Sequence, residues 1–474
     1  MSRTVFERQP PPEHVVRQAL RETELGCYWS AEVSGAAQYP RATTTAHYDL
    51  LIVGGGYTGL WSALLAVQRD PGIRVAVLEA ATIGGAASGR NGGFVEASLT
   101  HGEANGRSRW PEEFDTLQRL GHENLDDIEK AVVELGLNCD FERNGVLNVA
   151  VEDYQVKELR QQPADDHSTF LDQAAVRDLV NSPTYLAGLL SPRDAATVQP
   201  AKLAAELARV CDRYGVEIYE HTPVTGVTGA RGASPIQITT DVTTLLADRV
   251  ILATNAFPSL LKRYRYHTVP VYDYVLMTEP LTHEQLDSIG WRGRQGIADM
   301  ANQFHYYRLS ADNRILWGGY DAVYHFGRRI DPRLEDRPDT YARLASHFFT
   351  TFPQLEGLRF THRWAGVIDT STRFCAFFGD ANQGRIAYAA GFTGLGVAAT
   401  RFAANVLLDK VHRQRTERTE LSMVQSMPMP FPPEPLTWMG VNATRWALDR
   451  ADHRDGKRNL LLRALDAAGL GFDS

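Results

Sequence analysis

The chain has 474 residues, 43% of them hydrophobic, and 49 Lys and Arg against 57 Asp and Glu give a formal charge of −8. That length suits about two to three domains with sizeable cores, and an acidic balance with no basic stripe excludes nucleic acid as an expected partner. The four cysteines, Cys27, Cys139, Cys211 and Cys375, stand far apart with no C-x-x-C, so neither a disulfide framework nor a metal site is expected.

In chain order, residues 1–46 read as an N-terminal extension. Its start is polar and proline-rich and lacks the basic, then apolar, pattern of a secretory signal. Nowhere does the chain hold the roughly 18 consecutive apolar residues of a membrane span. A cytoplasmic protein is expected, with its oligomeric state open.

The strongest signal comes next. An apolar run predicts a strand over Tyr48–Val53, followed by Gly54, Gly56 and Gly59 in G-x-G-x-x-G spacing and an apolar helix from Tyr57 to about Arg69. In that pattern the glycines give a tight turn, close approach of backbone to a pyrophosphate, and close helix–strand packing. The helix N-terminus at Tyr57 and Thr58 offers free N–H groups to the phosphates. A second strand, Arg74–Leu78, runs into Glu79 and Ala80, with the acid at the distance expected of a group that binds ribose hydroxyls.

NAD and FAD share this fingerprint, and the segment after it discriminates. From Gly84 the chain is dominated by small residues through Ala87, Ser88, Gly89, Arg90, Asn91, Gly92 and Gly93, which lets the backbone lie against a flat, bulky ligand such as a flavin. Arg90 and Asn91 are expected to serve that flavin through hydrogen bonds or charge. Glu96, just beyond, is a candidate partner for a substrate ammonium and reads equally well as a surface carboxylate.

Residues 106–189 read as a helical and mixed insertion, with a helix predicted over Pro111–Leu135. A helix at Pro200–Tyr214, a strand at Val216–Tyr219, Val224, and the strand Val250–Ala256 follow. From Val269 to Tyr320 the pattern alternates, predicting an antiparallel sheet. Strand Arg385–Ala390 then leads into Gly391, Thr393, Gly394, Leu395 and Gly396, and an apolar helix from Val397 to about Leu408. This second glycine turn suits the flavin edge where negative charge collects on reduction. The tail, 411–474, holds a charged run, a proline-rich stretch and a basic amphipathic helix from about Thr437.

Together these motifs resemble the glycine and D-amino-acid oxidase superfamily of FAD enzymes, and within it the gamma-glutamylputrescine oxidase-like branch. The resemblance rests on Gly54–Gly59, Ala86–Gly93, Val250–Ala256 and Gly391–Gly396 and spans roughly Trp29 to Leu408. It implies an α/β fold with a discontinuous Rossmann-like FAD domain (47–105, 190–268 and 360–410) and an antiparallel substrate domain (269–359) roofing the flavin. Val224 would lie near the adenine, and Ala253, Thr254 and Asn255 would close that layer.

Only one forward G-x-G-x-x-G occurs, so the electrons are expected to come from an organic substrate rather than from NADPH. The implied reaction is hydride transfer from the carbon beside an amine nitrogen to flavin N5, hydrolysis of the imine, and reoxidation by O2 to peroxide. A D-amino-acid or N-methyl-amino-acid oxidase, a dehydrogenase passing electrons to a quinone or carrier, and a non-catalytic flavoprotein subunit are the alternatives.

The amine must be uncharged to react, so a desolvating cavity or a proton acceptor is required. Candidates are Tyr272, Tyr274, Tyr306, Tyr307, Trp317 and Trp364, each of which also reads as a core aromatic. Alternation puts Tyr272 and Tyr274 on one face and turns Tyr306 and Tyr307 to opposite faces. His101 and His305 are possible proton carriers or structural histidines. Sarcosine oxidases of the superfamily hold a substrate carboxylate with a lysine where this chain has Ala398. Their flavin-linking cysteine is missing near His362–Trp364. Non-covalent FAD and a longer amine are therefore expected, with Arg308 or Arg363 as alternative carboxylate anchors.

Overall fold

A computed structural model describes residues 3–33, 35–162, 167–229 and 234–471. Two large sheets organise them. The first has eight strands, and its centre is parallel: Thr244–Leu252, His47–Val53, Val75–Leu78 and Glu217–Tyr219 lie side by side, with Ile386–Ala390 parallel to Thr244–Leu252. These strands are almost continuously apolar because both faces are covered. The helices Tyr57–Arg69, Pro200–Arg213 and Gly396–Val411 bury Leu60, Leu64, Leu207 and Leu407 against one face, and the second face packs in its own core around Leu51, Ile238 and Tyr388.

The second sheet has ten strands and is mostly antiparallel. At its heart Phe360–Ser371 pairs with Thr268–Thr278, followed by Ile315–Gly319, His305–Leu309, Gly296–Asp299, Val146–Ala150 and Ala187–Ser191. Two seams are parallel: Glu24–Leu25 on Phe360–Ser371, and Gly296–Asp299 on Val146–Ala150. One face packs on the helix Pro338–Thr351 through Tyr274, Tyr307, Trp317 and Phe348. The other face roofs a cavity.

The expected domain limits differ from this arrangement. Phe360–Ser371 joins the large sheet rather than the nucleotide sheet, because its long register with Thr268–Thr278 outcompetes any other edge. The expected limit at 190 falls inside Ala187–Ser191, which pairs with Val146–Ala150. The insertion 106–189 is thus divided: its helix Phe114–Leu135 packs in the core of the nucleotide half, and its strands Val146–Ala150, Thr169–Leu171 and Ala187–Ser191 belong to the large sheet.

The tail folds back over the large sheet as helices Leu436–Asp452 and Leu460–Ala467. Asp452 accepts hydrogen bonds from the backbone N–H groups of Asn302 (2.9 Å) and Gln303 (3.2 Å), and Glu434 from those of Gly327 (3.1 Å) and Trp438 (3.0 Å). Among the described residues no helix is long and apolar enough to cross a membrane.

Candidate active site

Between the two sheets lies a cavity of about 1900 Å³. Its floor is the fingerprint loop: Gly54, Gly56, Tyr57 and Thr58 line it, as do Glu79 and Ala80. Glu79 accepts N–H bonds from Gly55 (2.7 Å) and Ala81 (2.9 Å), which fixes its carboxylate at the end of Val75–Leu78. Ser88 Oγ accepts the Tyr57 N–H (2.9 Å) and so ties the small-residue loop to the helix start.

Ala87, Ser88, Arg90, Asn91, Gly92, Val224, Ala253, Thr254, Asn255, Thr393, Gly394, Leu395 and Gly396 also line the cavity. Gly59, Gly89, Gly93 and Gly391 do not. They are packing glycines: a Cβ on Gly59 would strike the Gly54 carbonyl oxygen, and one on Gly93 the Val198 carbonyl. The floor is therefore a trough of backbone, of the kind a dinucleotide needs.

Arg90 and Asn91 shape this trough from within. Asn91 bonds the carbonyls of Ala87 (3.0 Å) and Ser88 (2.9 Å) and the N–H of Gly93 (2.8 Å), folding its own loop. Arg90 bonds the Ala365 carbonyl (3.0 Å) and pairs with Glu335. Trp364 Nε1 donates to the Arg90 carbonyl at 2.8 Å.

At the far end, Asp369 holds the second glycine turn. It is buried and accepts the N–H groups of Gly391 (2.5 Å) and Phe392 (3.1 Å). Burial pushes its carboxyl up to about 7 against those hydrogen bonds. The turn delivers Gly396 to the N-terminus of Gly396–Val411 beside the cavity.

The roof presents alternate residues, as a pleated sheet must. Val269, Val271 and Asp273 of Thr268–Thr278 face the cavity, with Tyr306, Ala298 and Asn148 from neighbouring strands. Tyr306 Oη donates to Asp273, and burial pushes the Asp273 carboxyl up to about 6. That reach depends on Gly318, which stands opposite Tyr306 in the register; a Cβ there would lie 2.6 Å from Tyr306 Cζ. Gly92 packs under the same ring, its Cβ position 2.6 Å from Tyr306 Cε2.

Several expected site residues sit elsewhere. Tyr272 and Tyr274 do share a face, but it is the core face: their hydroxyls donate to the Asp331 (3.2 Å) and Leu334 (2.8 Å) carbonyls, and only Tyr272 touches the cavity edge. Tyr307 is buried against Tyr185, hydroxyl to hydroxyl at 2.7 Å, so Tyr306 is the cavity-facing member of its pair. Trp317 and Trp364 lie in core clusters. His305 is buried between Asp299 (2.6 Å) and His347 (2.9 Å), off the cavity.

His101 lines the cavity, where burial lowers its imidazole to about 4 and keeps it neutral. Arg308 bonds the carbonyls of Gly92 (2.7 Å) and Val198, and Arg363 the Thr23 carbonyl (3.2 Å) and Asp336 (3.3 Å). Glu96 does line the cavity, and burial together with the nearby Asp194 pushes its carboxyl up to about 7. Asp273, Asp369 and Gly318 are the positions that sequence reasoning missed. An acid between two tyrosines in an apolar strand was the available signal for Asp273.

A glycine trough with helix N-termini at both ends, under a roof of side chains, defines a flavin-dependent oxidoreductase fold. The chain belongs to the FAD dependent oxidoreductase (DAO) family, whose model matches residues 49–409. Within it the chain falls on the gamma-glutamylputrescine oxidoreductase-like branch. It is 30% identical over 397 residues to gamma-glutamylputrescine oxidoreductase of Escherichia coli (81% of this chain, 88% of that protein). It is 27% identical over 387 residues to the probable oxidoreductase OrdL of Haemophilus influenzae (79% and 85%). The crystal structure of glycine oxidase from Geobacillus kaustophilus shares the fold, with a TM-score of 0.64 and 20% identity over 79% of this chain and 96% of that one. The cofactor is FAD, and the trough fits it.

Proposed function

We propose that this FAD-dependent oxidoreductase acts at the carbon–nitrogen bond of a long aliphatic amine, with oxygen as final electron acceptor. The observation that carries the reading is the Asp273–Tyr306 pair, a buried carboxylate and phenol in the roof beside Gly92. An aliphatic amine arrives as an ammonium ion, whose nitrogen has no lone pair to assist C–H cleavage. It must first lose a proton. A carboxylate raised to about 6 by burial holds the ammonium and has a proton affinity close enough to working pH to accept that proton. Tyr306 donates to it and fixes its orientation.

Gly54–Gly59, Glu79 and Ala87–Gly93 would hold the nucleotide and the linking arm, and Thr393–Gly396 the flavin edge. Bound FAD supplies a two-electron acceptor for the hydride of the carbon as the nitrogen lone pair forms the C=N bond. Water then adds to that bond and the nitrogen leaves as ammonia or a shorter amine. Oxygen takes up two electrons and two protons and becomes hydrogen peroxide.

The charged groups support an amine over an α-amino acid. Ala398 stands where a lysine would hold a carboxylate, and Arg90, Arg308 and Arg363 are each engaged by carboxylates or carbonyls. Similarity to gamma-glutamylputrescine oxidoreductase also supports a long amine. Cys375 is buried in the core of the nucleotide half, off the cavity lining, which supports a cofactor held without a covalent link.

The test is anaerobic mixing of the FAD-loaded enzyme with putrescine, gamma-glutamylputrescine, N-methylglycine and D-alanine, following loss of the flavin band near about 450 nm. Amines are expected to bleach it and air to restore it with release of peroxide. Bleaching by D-alanine alone would sink the reading, and reduction without peroxide on admitting air would move it to a dehydrogenase.

A further inference from the structure

The cavity holds a second acidic position, and on the amine reading it says more about the substrate. The strand Phe94–Glu96 leaves Gly92 and runs along the cavity wall, turning Phe94 and Glu96 to the cavity and Val95 into the core. Tyr306, the partner of Asp273, meets Phe94 edge-on with ring centroids 5.8 Å apart. Along the wall Asp273 is thus followed by the rings of Tyr306 and Phe94, and Glu96 stands two residues beyond Phe94 on the same face of its strand.

Glu96 differs from the other acids of this wall. Asp273 has Tyr306, and Asp194 has His122, whose Nε2 lies 3.0 Å away while Nδ1 donates to the Gln118 carbonyl at 2.9 Å. The Glu96 side chain is half-buried, faces the cavity and receives no hydrogen bond or ion pair from the described residues; its neighbour Asp194 only repels it. A carboxylate that keeps only part of its hydration and stands beside a second acid gains when a counter-charge reaches it. Among the described residues no side chain brings that charge.

We propose that Glu96 is the subsite for a second ammonium group. The substrate is then an aliphatic diamine or polyamine with a free cation at each end, one at Asp273–Tyr306 and one at Glu96, its methylenes lying on the Phe94 ring. Ring and chain are both apolar, so this stretch of wall gains by excluding water. A gamma-glutamyl cap fits less well: it replaces the distal ammonium with an amide, and the α-ammonium it carries comes with an α-carboxylate that Glu96 and Asp194 would repel.

The experiment compares anaerobic flavin reduction in the full-length, FAD-loaded enzyme by 1,4-diaminobutane, 1-aminobutane, N-acetyl-1,4-diaminobutane and gamma-glutamyl-1,4-diaminobutane, reading an apparent Kd for each. The diamine is expected to bind at least tenfold tighter than either single-cation analogue of its length. Glu96→Gln is expected to shrink that ratio below about threefold. Equal affinity for diamine and monoamine in the wild type, tighter binding of the capped amine, or a ratio that survives Glu96→Gln would each overturn the subsite. Reduction by none of the amines would instead overturn the amine reading itself and this assignment with it. The wild-type comparison needs no variant to fold.

Discussion

The floor and the roof of the cavity are built on opposite plans. On the floor, backbone does the contacting, and the important residues are the ones with nothing beyond Cα: Gly54, Gly56 and Gly92 line the trough while Gly59 and Gly93 let its walls close up. In the roof, long side chains reach across strands, and a glycine matters only because another residue passes over it, as Tyr306 passes over Gly318 to Asp273. A backbone-made site leaves its record in spacing. A side-chain-made site leaves it in register, which a single strand does not contain.

Substitutions should separate the two plans. The largest effect belongs to the floor: Gly59→Val places a branched side chain against the Gly54 carbonyl and Ile52, and is expected to yield protein without FAD, measured as the ratio of flavin to protein absorbance. A variant that retains full flavin would show that the trough tolerates side chains after all. Next is the roof: Asp273→Asn should keep full flavin content but slow anaerobic reduction by amine about 100-fold or more, the scale of a lost proton acceptor. Loss of flavin with that change would mean the roof also builds the cradle. A smaller effect, roughly tenfold on the same rate, is expected of Gly318→Ala, which displaces the Tyr306 ring without removing a reacting group. Tyr306→Phe should resemble it, and an unaffected rate in both would detach Tyr306 from the chemistry.

How much the sequence reveals follows the same divide. The fingerprint strand, its helix over Tyr57–Arg69 and the acid Glu79 are legible because local spacing alone defines them. The second glycine turn is legible too, but Asp369, which locks it, is not: it lies on a strand of the other sheet, and only the fold brings it to Gly391. Alternation correctly pairs Tyr272 with Tyr274, yet both faces of that strand are buried, one by the helix Pro338–Thr351 and one by the cavity. Aromatic content could not choose between them. The charge on Asp273 could, since a carboxylate belongs on the face that keeps a polar ligand. His305 misleads for the opposite reason: its partners Asp299 and His347 satisfy it inside the core, far more simply than a substrate would.

The finest test of the contrast is pH, because the side-chain wall of the cavity carries carboxyls that titrate near neutrality where a substrate would bind. Near neutrality the carboxyls that change charge include Asp273, raised to about 6, and Glu96, raised to about 7, on the substrate side, and Asp369, raised to about 7, at the second glycine turn. His101, lowered to about 4, stays neutral, while His122 is raised by Asp194 and remains its partner. An aliphatic ammonium, with a pKa near about 10, does not titrate in this window. Substrate affinity should therefore rise with pH as Asp273 and Glu96 ionise and level off above about pH 7, with flavin content followed alongside because Asp369 ionises at the glycine turn in the same window. For a diamine that uses both acids the logarithm of affinity should climb with a limiting slope of about two below pH 6, and for a monoamine held by Asp273 alone about one. Stability runs the other way. Both carboxyls bind protons more tightly folded than unfolded, so their contribution favours the fold as pH falls from about 7 toward 4 and is lost as pH rises through 6 to 7. Glu96→Gln should accordingly melt higher than the wild type at pH 8 and no higher at pH 5. A melting difference that ignores pH would mean that Glu96 is not held charged against its environment, and the cation it awaits would lose its reason.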